Sequence, residues 1–322
     1  MSARRWLLLA MLLLAFTVVV VGAYVRLSDA GLGCPDWPLC YGQPLPGSHL
    51  GGDALGRAWK EMAHRYLAGT LGLLIFIAAL IEARRRRFPR LATALLLVVI
   101  LQATLGMWTV TLLLKPAIVT AHLLGGMATL ALLLWWNLEE APHAPSAELR
   151  EEARGLRGAA LAALVAAVVQ IALGGWVSAN YAALACPDLP LCRGALVPPM
   201  DFGNAFHVVR ELGQTSAGDV LPREALTAIH WTHRMFAVLV VLLVGWVAHR
   251  AMRIPALRRP GLALAALVLL QFSLGVANVA SGLPLPLAAA HNAGAALLLA
   301  ALVVLNFFSF RGSGPSRLVS SP

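Results

Sequence analysis

Residues 6–25 of this 322-residue chain read WLLLAMLLLAFTVVVVGAYV, an apolar run without a single charged side chain. A helix of about 20 such residues is long enough to cross the hydrocarbon core of a bilayer. Arg4 and Arg5 precede the run, as basic residues precede the apolar part of a signal peptide. The run has nearly full membrane length and lacks a clear small-residue cleavage site, so we expect a retained membrane anchor.

Seven further stretches share this length and composition. They lie at about residues 62–81, 91–111, 117–137, 157–177, 227–248, 260–280 and 287–310. Charged residues make up only 12% of the chain, whereas soluble domains have about 25%. This composition argues against a water-soluble enzyme, a disordered chain and a disulfide-dense secreted scaffold. It predicts an all-α polytopic membrane protein with eight transmembrane helices.

The basic residues predict how the helices are oriented. Most of the 25 lysines and arginines precede the first run, follow the last, or lie between runs two and three, four and five, or six and seven. An excess of basic residues in short loops marks the cytoplasmic side. We therefore expect a cell (inner) membrane protein with both termini cytoplasmic and with loops 26–60 and 178–226 outside. The net charge of +10 then reflects topology, and no nucleic-acid partner is expected.

The sequence also contains an internal repeat. The corresponding segments are Cys34-Pro-Asp-Trp-Pro-Leu-Cys40 and Cys186-Pro-Asp-Leu-Pro-Leu-Cys192, His64-Arg65 and His233-Arg234, Gln102 with Leu105-Gly106 and Gln271 with Leu274-Gly275, and His122 and His291. The interval between the two histidines is the same in each half.

An even number of predicted helices separates corresponding residues, so both halves should have the same orientation. Parallel repeats of this kind are related by an axis along the membrane normal. We predict an N-terminal four-helix bundle at residues 1–138, a cytoplasmic linker at 139–156 and a C-terminal four-helix bundle at 157–322. The second half carries an insertion in the 178–226 loop.

Four histidines, His64, His122, His233 and His291, are predicted inside the membrane towards its outer face. Ionisable side chains at such positions are costly and usually functional. Each half offers two imidazoles from different helices, and a four-helix bundle can hold haem iron between such ligands. The alternative is four histidines that only form hydrogen bonds within the bundles. Zinc is disfavoured because no thiolate or carboxylate completes a tetrahedral set at that depth.

The two halves differ three residues before the first histidine of each pair. Glu61 precedes His64, whereas His230 precedes His233. Residues three apart share a helix face, so Glu61 should lie near whatever His64 binds, as a catalytic base or charge stabiliser. Alternatively, Glu61 is a first-turn acidic residue that interacts favourably with the helix dipole. The asymmetry suggests that one bundle performs chemistry and that the other holds a permanent cofactor.

Two other residue sets have both a functional and a structural interpretation. Arg65 and Arg234 follow the histidines and either contact haem propionates or act as snorkelling anchors. The four cysteines form two Cys-x5-Cys pairs in predicted outer loops, where the compartment is oxidising. Disulfides Cys34–Cys40 and Cys186–Cys192 are plausible staples, and a redox role is the alternative for the first pair.

Three features together resemble the haem A synthase family. They are residues 22–40, reading GAYVRLSDAGLGCPDWPLC, the Glu61-Met-Ala-His-Arg65 helix start, and the two later histidines. The resemblance covers nearly the whole chain. It implies eight transmembrane helices in two pseudo-symmetric four-helix bundles. It also implies oxidation of the C8 methyl group of haem O to the formyl group of haem A, for terminal oxidases.

The resemblance also assigns roles to residues. His64 and His122 would address the substrate haem, His233 and His291 would ligate a resident haem b, and Glu61 would be catalytic. Cys34 and Cys40 match the family's first-loop pair, and His230 is not expected to be a ligand.

The implied partners are haem O as substrate, a haem O synthase, an electron acceptor and membrane lipid. A homo-oligomer is compatible with the sequence. The competing functions are a dihaem b-type cytochrome that only transfers electrons, which leaves Glu61 without a role, and a haem carrier or assembly factor.

Overall fold

A computed structural model describes residues 3–47, 50–85, 89–141 and 147–310. Within these ranges the chain forms α1 (Ala3–Leu27), α2 (Gly52–Arg85), α3 (Pro89–Thr111), α4 (Pro116–Glu139), α5 (Ala147–Arg154), α6 (Arg157–Ala179), α7 (Phe202–Ala205), α8 (Arg223–Met252), a 3-10 helix (Pro255–Leu257), α9 (Arg258–Ala280) and α10 (Leu285–Phe310). The same ranges contain no β-strand, only isolated bridges.

Eight of these helices are long and apolar enough to span a membrane: α1, α2, α3, α4, α6, α8, α9 and α10, with α9 counted from the preceding 3-10 turn. Each predicted apolar stretch lies inside one of them, so the prediction of an all-α, multi-pass membrane protein is confirmed. The largest difference is at α2, which begins at Gly52. Residues 52–61 include Asp53, Arg57, Lys60 and Glu61 and continue the helix beyond the apolar run, which is why hydropathy alone misses them.

Successive long helices run in opposite directions, so the connections gather at two ends of the molecule. We call the end that carries segments 28–51 and 180–222 the cysteine face, and the opposite end the arginine face. The tight turns α3–α4 and α9–α10 also lie at the cysteine face, and Lys115 in the first of them pairs with Glu211 of segment 180–222 at 2.7 Å. The insertion in the second half therefore packs across to the first half.

The two halves share a core. Helix α4 contacts α6 and α10, and α1 contacts α10. Ala296 and Leu299 of α10 belong to the buried apolar cluster of the first half. At the cysteine face, Arg26 donates a hydrogen bond of 2.7 Å to the Ser178 carbonyl and stacks over the Tyr181 ring.

The predicted linker at 139–156 is more ordered than a solvated connection. It contains α5, which packs on α10, and Ala153 and Leu156 are buried in the apolar cluster of the second half. The linker residues 142–146 lie outside the described residues. The same holds for Arg86, Arg87, Arg311 and Arg317, four of the residues that predict the orientation.

A buried ion cluster ties the first half together at the arginine face. Arg4 of α1 pairs with Glu82 of α2 at 2.9 Å and with Glu140 at the end of α4 at 3.1 Å. Glu82 is almost fully buried. Removing one member of a buried ion pair leaves an uncompensated charge. The cluster therefore holds the ends of α1, α2 and α4 together at the arginine face.

Candidate functional site

Each of the four histidines packs against a glycine of a neighbouring helix. A methyl group added to Gly22 would lie 2.7 Å from Cε1 of His64, and one on Gly106 would lie 3.3 Å from Cε1 of His122. In the second half the corresponding contacts join Gly174 to His233 at 3.1 Å and Gly275 to His291 at 3.2 Å. The glycines let each imidazole approach the backbone of the adjacent helix, which fixes where its ring lies.

The two histidines of the first half face each other. Their ring centroids are 6.4 Å apart and the ring planes are nearly perpendicular, at 88°. Two imidazoles that bind one metal ion from opposite sides, with bonds of about 2 Å, have centroids about 6 Å apart. The spacing of His64 and His122 therefore fits an iron between them.

The hydrogen bonding of these rings argues against a purely structural role. In the part of the chain that the structure describes, Nδ1 of His64, His122 and His291 is buried without a hydrogen-bond partner. Buried polar atoms normally have partners, so these three rings do not belong to a core in which every polar atom is satisfied. No group of three or more His, Cys, Asp or Glu side chains there could hold a bare metal ion. Two facing imidazoles are the set that haem requires, because the porphyrin supplies the other ligands.

Glutamine side chains contact the histidines of the second half. The Gln170 amide nitrogen lies 3.1 Å from Nδ1 of His233, and the Gln271 amide nitrogen lies 3.3 Å from Nε2 of His291. Gln271 has a counterpart in Gln102, whose amide nitrogen is buried without a partner. Gln170 was not predicted as a site residue, because the corresponding position in the first half is not a glutamine.

Glu61 is held in place by the first cysteine loop. Its side chain is 4% exposed. One carboxylate oxygen accepts a hydrogen bond of 2.9 Å from the Cys34 backbone N–H, and the other pairs with Arg65 at 2.5 Å. His64 lies on the same helix three residues later, so the structure brings the predicted acid and the predicted histidine into one region.

His230 makes the equivalent contact in the second half. Its Nδ1 accepts the Cys186 backbone N–H at 3.3 Å, and the ring is buried. The acid of the first half and the imidazole of the second therefore do the same structural work, which is to fix the first cysteine of the loop. Only the first half adds a carboxylate to this position.

The two arginines bind the backbone of the cysteine loops. Arg65 donates to the Asp36 carbonyl at 2.9 Å and to the Leu39 carbonyl at 2.7 Å. Arg234 donates to the Asp188 carbonyl at 2.9 Å and to the Leu191 carbonyl at 3.0 Å. Neither contact was predicted, and both connect a histidine-bearing helix to its loop.

Inside each loop an aspartate closes the turn. Asp36 accepts the backbone N–H groups of Tyr41 and Gly42, and Asp188 accepts those of Arg193 and Gly194. The hydrogen bond from Gly194, the largest contribution, holds the pKa of Asp188 below its usual value. Both aspartates lie in the repeated Cys-Pro-Asp segments, but only the cysteines of these segments were predicted as site residues.

Both predicted disulfides are present. Cys34 is bonded to Cys40 and Cys186 to Cys192, with S–S distances of 2.05 and 1.97 Å. All four cysteines are buried. The arginine and the residue four positions before it hold each disulfide-bonded loop against the part of α2 or α8 that carries the histidine.

Comparison with known proteins identifies the family of the chain. Residues 4–51 and 52–303 match the COX15-CtaA family model, described as cytochrome oxidase assembly protein. A Shewanella oneidensis protein named "Heme A synthase" is 39% identical over 98% of this chain and 99% of its own length. Proteins of the same name from Symbiobacterium thermophilum (32% identical, 89% of this chain, 87% of the relative) and Caulobacter vibrioides (30%, 94% of each) are also similar. With nearly its whole length matched, this chain belongs to the COX15-CtaA family of cytochrome oxidase assembly proteins.

Proposed function

We propose that this chain is a haem A synthase, a membrane oxidoreductase that converts the C8 methyl group of haem O into the formyl group of haem A. The relatives that carry this name match the chain over nearly its whole length. The observation that carries the proposal is the pair of buried imidazoles, His64 and His122, at a spacing that suits haem iron, on a helix that also carries the buried Glu61.

In this proposal the two halves have different tasks. His64 and His122 address haem O, and His233 and His291 ligate a resident haem b. The division is supported by Glu61, because the second half has His230 in its place and so has no carboxylate next to its histidines. A resident haem b supplies a one-electron redox centre, and an electron acceptor takes the electrons onward.

The reaction removes four electrons from the substrate and releases four protons, two from the methyl group and two from the water whose oxygen is retained. Two successive hydroxylations of the methyl group, with water as the oxygen source, give a gem-diol that loses water to form the aldehyde. The chain's own contribution is at Glu61. Its carboxylate is fixed between the Cys34 N–H and the Arg65 guanidinium, where it can accept a proton from the attacking water or stabilise positive charge that develops on the substrate.

The cysteine loops and arginines serve this arrangement. Arg65 and Arg234 each have five N–H donors, more than the loop carbonyls occupy, so both can also bind a haem propionate. Arg65 in addition supplies the positive charge next to Glu61. The disulfide-bonded loops keep both arginines oriented.

The proposal includes a topology and partners. The cysteine face lies outside, where disulfides persist, and the arginine face with both termini lies in the cytoplasm. Both haem sites then lie towards the outer face. The two halves act as pseudo-symmetric four-helix bundles, and a haem O synthase supplies the substrate.

Pigment analysis tests the function. The full chain is co-expressed with a haem O synthase in a host that lacks haem A, and the extracted haems are identified by mass. We expect haem A. A folded protein that accumulates only haems B and O would contradict the enzyme and favour the dihaem cytochrome. Haem binding with normal oxidase assembly in a Glu61→Ala strain would favour the carrier.

The glycine contact of His64 gives a prediction specific to the first site. Gly22→Ala places a methyl group 2.7 Å from Cε1 of His64, so the ring must move. We expect haem A formation to fall roughly tenfold to a hundredfold, as misplaced reacting groups commonly cause, with an unchanged haem b spectrum. Gly245→Ala on α8 is the control, because nothing lies within 4 Å of its added methyl group. Equal activities in the two variants would contradict the assigned contact.

The two disulfides provide a matched pair of variants. Cys34→Ser and Cys186→Ser each remove a disulfide that closes a loop of the same length. The free energy of unfolding should therefore fall by a similar amount in both variants, about 2–4 kcal/mol. Of these two cysteines, only Cys34 donates its backbone N–H to Glu61. We therefore expect Cys34→Ser to reduce haem A formation several-fold more than Cys186→Ser. Equal, mild losses would show that both loops are staples only.

A further inference from the structure

Three of the four helices that face a histidine share a short pattern that the fourth lacks. Gln102-x3-Gly106 on α3, Gln170-x3-Gly174 on α6 and Gln271-x3-Gly275 on α9 all place a glutamine one turn before the glycine that contacts the imidazole. On α1 the glycine is Gly22, and the residue four positions earlier is Val18. Besides the Glu61/His230 difference, the repeat therefore has a second position where the two halves differ in chemistry beside a histidine.

The difference has a structural consequence. The Gln170 amide nitrogen lies 3.1 Å from Nδ1 of His233 and 3.1 Å from the His233 carbonyl oxygen, so it contacts both the ring and the backbone of the same residue. Val18 offers only methyl groups, which pack against the apolar cluster of the first half. Nδ1 of His64 is buried without a partner in the described chain.

The chemistry of metal-bound imidazoles gives this difference a meaning. A histidine that binds a metal through one ring nitrogen usually has a partner on the other, which fixes the ring and increases its basicity. The Gln170 amide nitrogen faces Nδ1 in the structure, and its carbonyl oxygen, which is buried without a partner in the described chain, can face a protonated Nδ1 when the amide is turned over. His233 has such a partner and His64 does not.

Resting on the proposed function, we infer that Gln170 is the positioning residue that makes the second haem site permanent, and that Val18 leaves His64 free to release its haem. A substrate site must bind haem O and let haem A leave in every reaction cycle, whereas a resident haem must stay. The Gln170/Val18 exchange supplies this distinction within two otherwise equivalent histidine pairs.

A reciprocal exchange tests the inference on the purified full-length protein. Loss of haem b to excess apomyoglobin is followed by absorbance, and the haem b midpoint potential is titrated in parallel. In Gln170→Val we expect haem b to leave about 10 to 100 times faster, the range typical for loss of such a partner, with a shifted potential. Gln170→Met, which has a similar length but no amide, should lose haem b as Gln170→Val does, so that a change of packing alone does not explain the result.

The converse variant examines the first site. Val18→Gln should leave haem b retention unchanged and slow the loss of haem A to apomyoglobin by a similar factor. Wild-type haem b retention and potential in Gln170→Val would overturn the inference while leaving the proposed function intact. Failure of the wild-type protein to form haem A would instead refute the proposed function, so the two failures are distinguishable.

Discussion

Glu61→Gln should nearly abolish haem A formation while both haem sites remain filled. The amide still accepts the Cys34 N–H, so the loop keeps its position, but the group can no longer take a proton from water. General acid–base groups contribute about 10²–10⁴-fold to rates, so we expect a decrease of at least about 100-fold. The measurement is haem A formed per protein in cells co-expressing a haem O synthase.

A control separates chemistry from folding in this experiment. Glu224→Gln removes an exposed carboxylate from the first turn of α8 and should retain wild-type activity. The haem content of purified Glu61→Gln, read from its absorption spectrum, should match that of wild type. Activity within about threefold of wild type would rule out the catalytic role.

The second large effect concerns the resident site. His233→Met and His291→Met each replace an imidazole by a thioether, which binds haem iron more weakly and raises its potential. We expect a changed haem b spectrum, a more positive midpoint potential and a decrease in haem A formation of roughly tenfold or more, because a haem b of higher potential is reoxidised less readily by the electron acceptor.

The matched control for these variants lies on α8, the helix that carries His233. His249→Met changes an exposed histidine in the last turn of α8 and should leave spectrum and activity unchanged. If His233→Met and His291→Met both kept the wild-type spectrum, the assignment of the haem b ligands would be wrong.

The sequence predicts the helices well because their signal is local. Every predicted apolar stretch lies inside an observed helix, since a span must satisfy its own backbone hydrogen bonds and needs about 20 apolar residues. The exceptions are polar. The first turns of α2 and the whole of α5 carry charged side chains, and they are helical because they pack on the rest of the molecule rather than because they are apolar.

The candidate site was predicted in part, through the repeat. The repeat marks the four histidines and the cysteine loops, and the one acid-to-imidazole difference marks Glu61 and His230. The sequence does not reveal what joins these groups. Arg65 donates hydrogen bonds to the loop carbonyls, and the Cys34 N–H donates one to Glu61. These contacts join segments that are distant in the chain, so only the folded structure brings them together.

Gln170 shows a different reason for a missed residue. It contacts a histidine that the repeat identifies, but Val18 occupies the corresponding position in the first half, so a comparison of corresponding positions does not single it out. The glycines under the histidines were partly visible, since Gly106 and Gly275 recur next to the repeated glutamines. Their contact with the imidazole rings depends on how the helices pack, which the sequence does not show.

The central claim is that two pairs of imidazoles in this chain bind haem, one pair in each half. The most direct test is the absorption spectrum and the haem-to-protein ratio of the purified, folded protein after haem has been supplied during expression. The account predicts a Soret band with the features of bis-histidine ligation, and a resident haem that is lost when His233 or His291 is replaced by alanine. A well-folded preparation without Soret absorbance would contradict it.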